Sequence, residues 1–179
     1  MPTSPSQIKL LLLDVDGVLT DGGLYMDDNG LQSKRFNVRD GLGIRLAQRA
    51  GLKIGFLTGK LSGIVKHRAD ELGVGLVAQG SVNKAEDARK LAIHAGFTLA
   101  QTAHLGDDLI DLPAFGVVGF PMAVINAVPE VKAAAQWIGT VPGGEGAARE
   151  AIEFLLKEQG KWEAVIEKYR SAAVRDGQG

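Results

Sequence analysis

The chain has 179 residues, 45% of them hydrophobic and 23% charged, the balance of an ordinary globular protein with enough length for a substantial core. Its 20 basic and 21 acidic side chains leave a net charge of −1, which excludes a general electrostatic pull toward nucleic acid or an anionic membrane, so any basic site is local. The absence of cysteine excludes disulfides, a thiol nucleophile and thiolate metal sites, and fits a reducing cytoplasm.

Residues Met1 to Gln7 are rich in Pro and Ser and are expected to be disordered, with no basic and then apolar pattern of a signal peptide. Ile8 to Leu13 form a continuous apolar run that stops at Asp-Val-Asp-Gly, the pattern of a buried parallel strand. Leu24 to Met26 and Leu31 to Phe36, joined through Asn29-Gly30, predict a β-hairpin. Gly41 to Ala50 predict a helix closed by Gly51, and Lys53 to Leu57 a strand stopped by Thr-Gly. A helix over Ser62 to Leu72, a short strand over Gly75 to Ala78, a helix over Lys84 to His94 and a strand over Thr102 to Leu105 follow. Leu109 to Phe115 predict a short helix, Val117 to Val118 a strand, Pro129 to Ala135 a helix and Gln136 to Ile138 a last strand. Gly146 to Glu158 and Trp162 to Tyr169 have amphipathic helical spacing, and Ser171 to Gly179 is expected to be a flexible tail.

Strands alternating with helices predict an α/β fold: one doubly wound parallel sheet in a single domain, core about 8–158, with a small hairpin insertion. Such sheets bind ligands at the carboxyl ends of their strands, where the polar clusters of this chain fall.

The first cluster is Asp14 and Asp16, two carboxylates at the end of an apolar strand beside Gly17. In an extended segment they point to one side, and their repulsion calls for a cation. The glycine spacing does not fit a calcium-binding loop, which needs Gly at its sixth position. Thr58 ends the next strand, where its hydroxyl and the following amides could hold a phosphate oxygen. Lys84 opens a helix, an unfavourable place for a cation against the helix dipole. Asp107, Asp108 and Asp111 lie together after the Thr102 to Leu105 strand; one is the usual helix cap, and hard oxygen ligands suit Mg²⁺. His67, His94 and His104 do not form a spaced metal set, and each has the ordinary reading of a surface or core residue.

The ordered series Asp-x-Asp, Thr, Lys and Gly-Asp-Asp-x-x-Asp resembles the haloacid dehalogenase superfamily over Ile8 to about Glu158. That resemblance implies an Mg²⁺-dependent phosphatase with Asp14 as nucleophile and Asp16 as general acid and base. It also implies Mg²⁺ on Asp14, Asp107 and the Asp16 carbonyl, with Thr58 and Lys84 on the phosphoryl oxygens and Asp108 and Asp111 orienting waters and Lys84. Only about forty residues separate Asp16 from Thr58, so the resemblance is to capless members.

The strings DVDGVLTDG, FNVRDGLGIR, GDDLID and GGEGAARE are similar to the 3-deoxy-D-manno-octulosonate 8-phosphate phosphatases of lipopolysaccharide synthesis. This implies a phosphorylated sugar-acid substrate near Asn37, Val38, Arg39, Asp40, Gly41, Arg45, Lys60 and Arg68, and a homotetramer assembled through the hairpins, without nucleic-acid or membrane partners. An arginine cluster suits a substrate with a carboxylate and a phosphate. Two positions depart from the pattern: Lys60 stands where these enzymes usually carry Arg, and Glu145 makes Gly-Gly-Glu-Gly of their usual Gly-Gly-Arg-Gly. The Glu is frequent in nonulosonate 9-phosphate phosphatases, the alternative substrate class together with other small sugar phosphates. A receiver-type phosphoacceptor shares the acid pair, Thr and Lys, but places its phosphoacceptor Asp on a mid-chain strand, where this chain has Thr58 and Gln79. No third glycine follows Gly41-Leu42-Gly43 to make a nucleotide loop.

Overall fold

The structure, a computed structural model, describes residues 3–176. Residues 1, 2 and 177–179, part of the tails expected to be disordered, lie outside the described residues.

Six parallel strands form the sheet: β1 (Leu10–Leu13), β4 (Lys53–Leu57), β5 (Leu76–Ala78), β6 (Thr102–Gly106), β7 (Phe120–Ala123) and β8 (Trp137–Ile138), in the order β5-β4-β1-β6-β7-β8. The four leucines of β1 are all fully buried because the strand is covered on both faces, which a continuous apolar run requires. Leu11 and Leu13 face one layer with Phe56, made by α1 (Val38–Arg49), α2 (Gly63–Leu72), α5 (Pro129–Ala134) and α6 (Ala147–Glu158). Leu10 and Leu12 face the other with Leu57, against α3 (Lys84–Ala95) and the short α4 (Leu112–Phe115). α7 (Trp162–Asp176) follows α6. The chain leaves β1 toward β4 on one side and returns to β6 on the other, so β1 borders the topological switch point where ligands settle in such sheets.

Between β1 and β4 lie only the hairpin and α1, and no cap layer covers the strand ends among the described residues. The antiparallel hairpin is β2 (Tyr25–Met26) with β3 (Gln32–Ser33), closed by Asp27, whose Oδ1 accepts the Asn29 and Leu31 amides at 3.0 and 2.8 Å. A single bridge, Thr20 with Phe36, joins its base to the core.

Several expectations are corrected. Part of the N-terminal segment is ordered: Pro5–Gln7 form a 3-10 turn capped by Ser4. Val117 and Val118 are not a strand. Their amides fold back on the Ala114 carbonyl, each at 3.0 Å, and the strand begins at Phe120. The Pro in Phe-Pro-Met-Ala has no amide to donate, so this strand carries a weak local signal. α1 starts three residues early because Asn37 caps it, accepting the Arg39 amide at 2.9 Å. The last helix continues past Tyr169 to Asp176, within the segment expected to be flexible.

The Gly143-Gly144 loop presses on the turn after β1. The Gly144 amide donates to Val18 O at 2.9 Å, and a Cβ on Gly143 would overlap the carbonyl oxygen of Gly17. Neither backbone can yield without moving the site. Gly143→Ala should therefore destabilise the protein by about 2 kcal/mol or more, lowering the thermal midpoint by roughly 4 °C or more. Gly63→Ala, where a Cβ meets open space, should leave the midpoint within about 2 °C of wild type by the same scale. Differential scanning calorimetry of both variants checks this, and equal midpoints would contradict the close approach.

Candidate active site

Asp14 follows β1, with 2% exposure. The chain then makes one wide turn, Val15–Leu19, closed by the Thr20 amide on Val15 O at 3.0 Å. Gly17 permits it with φ at +91°. Gly17 is also where the chain comes closest to the loop after β6: a Cβ there would overlap Asp107 Oδ2. So one glycine sets both the turn and the approach of a second carboxylate.

Within this turn Asp14 and Asp16 do not share one ligand through their side chains. The Asp14 carboxylate turns inward, Oδ1 accepting the Val15 amide at 2.7 Å and Oδ2 lying 3.0 Å from Lys84 Nζ. Asp16 is half-buried, and its carboxylate pairs with the ammonium of Lys34 at the end of the hairpin. Lys34 was not legible as a site residue, since a lysine after a predicted hairpin reads as solvated.

Thr58 is buried at the end of β4, its carbonyl accepting the Ser81 amide at 3.1 Å and its hydroxyl the Lys60 amide at 3.4 Å. Lys84 is buried at the first position of α3. A cation there opposes the helix dipole, and two carboxylates offset this: Asp14 at 3.0 Å and Asp111 at 2.6 Å. Their charges raise the Lys84 pKa although burial alone would lower it. Asp111, fully buried, also accepts from His104 Nε2 at 2.7 Å and from the Asp107 and Asp108 amides at 2.9 and 3.3 Å. Burial by itself would raise its pKa, but these partners hold it below the usual carboxylate range. The expectation that Asp108 steadies Lys84 is corrected. Its side chain is exposed and caps the 3-10 turn Leu109–Asp111, accepting the Leu109 amide at 2.7 Å.

Asp107 differs from its neighbours. Its Oδ1 is buried and has no hydrogen-bond partner among the described residues. Burial first, then the charges of Asp14 and Asp111, push its pKa up to about 8, while burial and the Asp111 charge push Asp14 up to about 6 against the pull of Lys84. Oxygens of Asp14, Asp107 and Asp111 lie within 4.8 Å of one another. A hard cation fits this donor set, because it would satisfy the orphaned Asp107 oxygen and the excess negative charge together. Asp111 already accepts from four donors, so Asp14 and Asp107 are the available carboxylates.

The residues expected near substrate divide. Asn37 joins α1 to the glycine loop through its amide on Gly144 O at 3.2 Å. Val38, Arg39, Arg45 and Lys60 are exposed, and the Arg45 guanidinium donates to Glu71 O at 2.7 Å. Arg68 is held against Glu71 at 2.8 Å and over the Phe36 ring at 5.5 Å, and a Cβ on Gly41 would crowd its Nη2 at 2.5 Å. Asp40 is corrected: it is buried, and its Oδ1 accepts the Arg149 amide at 2.8 Å, capping α6 from across the domain. Nothing in the sequence around Asp40 shows that a distant helix end claims it.

A raised carboxyl pKa means that the folded state holds its proton more tightly than the unfolded chain. Stability therefore falls as pH rises from the usual carboxylate value of 3.8 toward about 6 for Asp14 and about 8 for Asp107. The lowered Asp111 acts oppositely, contributing stability above the usual value that is lost only as pH falls below it. In EDTA the thermal midpoint should fall between pH 5 and pH 8, and Mg²⁺ at pH 8 should raise it again. Asp107→Asn should flatten both responses; a midpoint unchanged across this window in EDTA would contradict the cluster as the pH-sensitive element.

A family model described as haloacid dehalogenase-like hydrolase matches residues 70–150. The 3-deoxy-D-manno-octulosonate 8-phosphate phosphatase KdsC of Haemophilus influenzae is 44% identical over 154 residues, 86% of this chain and 86% of that protein. The protein of the same name from Escherichia coli K12 is 42% identical, over 86% of this chain and 82% of its own. Among solved structures, the Moraxella catarrhalis phosphatase in complex with magnesium ion, phosphate ion and a KDO molecule superposes with a TM-score of 0.90 at 37% identity, covering 93% of this chain and 95% of that one. A cobalt-bound form of the Haemophilus influenzae phosphatase gives 0.86 at 42% identity, over 89% and 93%. With this identity over nearly the full length, and with the acids and lysine gathered at the strand ends, the chain belongs to the 3-deoxy-D-manno-octulosonate 8-phosphate phosphatase family of haloacid dehalogenase-like hydrolases.

Proposed function

We propose that this protein hydrolyses 3-deoxy-D-manno-octulosonate 8-phosphate through an aspartyl-phosphate on Asp14, with Mg²⁺ as cofactor. The observation that carries the reading is the buried Asp14 carboxylate, with Lys84 at 3.0 Å and the orphaned Asp107 oxygen beside it. Relatives over 86% of the chain are phosphatases of this substrate, and the Moraxella catarrhalis relative holds magnesium, phosphate and KDO.

In this mechanism Asp14 attacks phosphorus, a P–O bond to its carboxylate forms, and the bond to the sugar oxygen breaks. Asp16 in its protonated form gives a proton to the departing alkoxide, and the carboxylate left behind takes one from the water that attacks the aspartyl-phosphate, so that Asp14 and phosphate are released. Lys84 and Thr58 hold the phosphoryl oxygens, and Lys34 keeps the Asp16 carboxylate oriented at the edge of the site. Asp14, Asp107 and the Asp16 carbonyl would hold Mg²⁺, which supplies positive charge against the phosphoryl group when bound. Arg39, Arg45, Lys60 and Arg68 would meet the sugar acid, with Asn37, Val38 and Gly41 shaping its rim.

A homotetramer in the cytoplasm belongs to the same proposal. The hairpin exposes Leu24, Met26 and Leu31 at 63%, 61% and 74%, and the loops around the strand ends expose Leu61 and Val82. Apolar side chains concentrated at the mouth of a polar site mark a surface that another subunit covers. No helix among the described residues is long and apolar enough to cross a membrane. One observation favours a second reading, a nonulosonate 9-phosphate: Glu145 replaces a cation, and its carboxylate is held by Arg35 at 2.8 Å.

Turnover of octulosonate 8-phosphate, nonulosonate 9-phosphates and simple sugar phosphates, measured with wild type and Asp14→Asn, tests the assignment. Octulosonate 8-phosphate should give the highest kcat/KM, EDTA should silence it, and Asp14→Asn should lower kcat by roughly 10³-fold or more. A higher kcat/KM for a nonulosonate phosphate moves the substrate to the second reading, and substantial Asp14→Asn turnover removes the nucleophile assignment. Light scattering should give the mass of four chains; a fully active monomer would contradict closure of the site by a neighbour.

A further inference from the structure

His104 lies in β6 with no exposed surface, and no step of the proposed reaction uses it. A buried imidazole is costly unless both nitrogens are satisfied. Nδ1 lies 3.2 Å from the Leu12 carbonyl oxygen on β1, and Nε2 lies 2.7 Å from Asp111 Oδ1. The Phe115 ring stands edge-on at 5.8 Å and offers no further polar partner. The Asp111 carboxylate can only accept, so the Nε2 of His104 donates to it, while Nδ1 faces the Leu12 carbonyl.

This bond falls on the atom that also holds Lys84. Asp111 Oδ1 receives Lys84 Nζ at 2.6 Å and His104 Nε2 at 2.7 Å, while the other face of Lys84 reaches Asp14 at 3.0 Å. Lys84 is thus divided between two carboxylates. If His104 stopped donating, Asp111 would hold the ammonium more strongly, and Lys84 would be drawn from Asp14. The imidazole also ties Asp111 to β1 two residues before Asp14, fixing the distance across which Lys84 is shared.

We propose that His104 is a positioning residue: by donating to Asp111 through Nε2, it keeps Lys84 aimed at Asp14 and the phosphoryl group. The proposal rests on the reading of Asp14 as nucleophile.

Two near-isosteric substitutions separate the two bonds. Gln can place its amide nitrogen where Nε2 donates to Asp111, and Asn can place its own where Nδ1 faces Leu12. His104→Asn should lower kcat by roughly 10- to 100-fold, the worth of a hydrogen bond to a charged group, with KM changed by less than about threefold. His104→Gln should recover kcat to within about threefold of wild type. Equal kcat in the two variants at equal thermal midpoints would overturn the proposal, as would a loss carried by KM alone. A readout independent of turnover is the ¹⁵N spectrum of the imidazoles in wild-type protein at neutral pH, with His104 assigned as the ring shielded from solvent exchange, since His67 and His94 are exposed. A protonated Nε2 supports the proposal, and an unprotonated Nε2 overturns it, whether or not the variants fold. Failure of the nucleophile reading is seen separately, as turnover retained in Asp14→Asn with this spectrum unchanged.

Discussion

Carboxylates repel, and this protein gathers Asp14, Asp107 and Asp111 at the carboxyl ends of its central strands, with oxygens of all three within 4.8 Å. Lys84 neutralises part of that charge and His104 donates to Asp111, but nothing among the described residues satisfies Asp107 Oδ1. The same imbalance that raises the pKa of Asp14 and Asp107 makes the pocket a receptor for a cation. Stability is spent here on a site that is complete only with its ligands, while the leucines of β1 and the two layers of helices hold the sheet behind it.

The backbone permits this crowding at two contacts. Gly17 lets the turn after β1 fold with positive φ and brings it against Asp107, and Gly143 lets the loop before α6 lie on the same turn. α6 in turn is capped by Asp40 from α1, and α1 is capped by Asn37, which also bonds to Gly144. The hairpin, the start of α1 and the glycine loop are therefore one connected support around Asp14. Changes in any of them reach the site through backbone contacts, where there is little freedom to relax.

Pairs of exposed charges tune the rim of this support. Arg35 bridges Asp21 at 3.4 Å and Glu145 at 2.8 Å, so the glutamate in the glycine loop is matched by a cation on the hairpin strand's extension. Bonds this exposed are weak individually. Together they tie the glycine loop to the chain on either side of the hairpin.

Much of the fold was written in local pattern. Apolar runs stopped by polar residues locate β1, β4 and β6, and their order with Thr58, Lys84 and the acids after β6 marks the site. These features depend on strand periodicity and turn chemistry, which act within a few residues. Local pattern is therefore enough for a parallel α/β sheet with acids, threonine and lysine at its strand ends. Which partner each group takes depends on packing across the domain. Asp40 turns to a helix end more than a hundred residues away, Lys34 reaches Asp16 from the hairpin, Asp107 keeps an unsatisfied oxygen, and His104 sits on the bond that divides Lys84 between Asp111 and Asp14. Hydrogen bonds and charge interactions are set by distance in space, and residues far apart in the chain carry no local sign of meeting there.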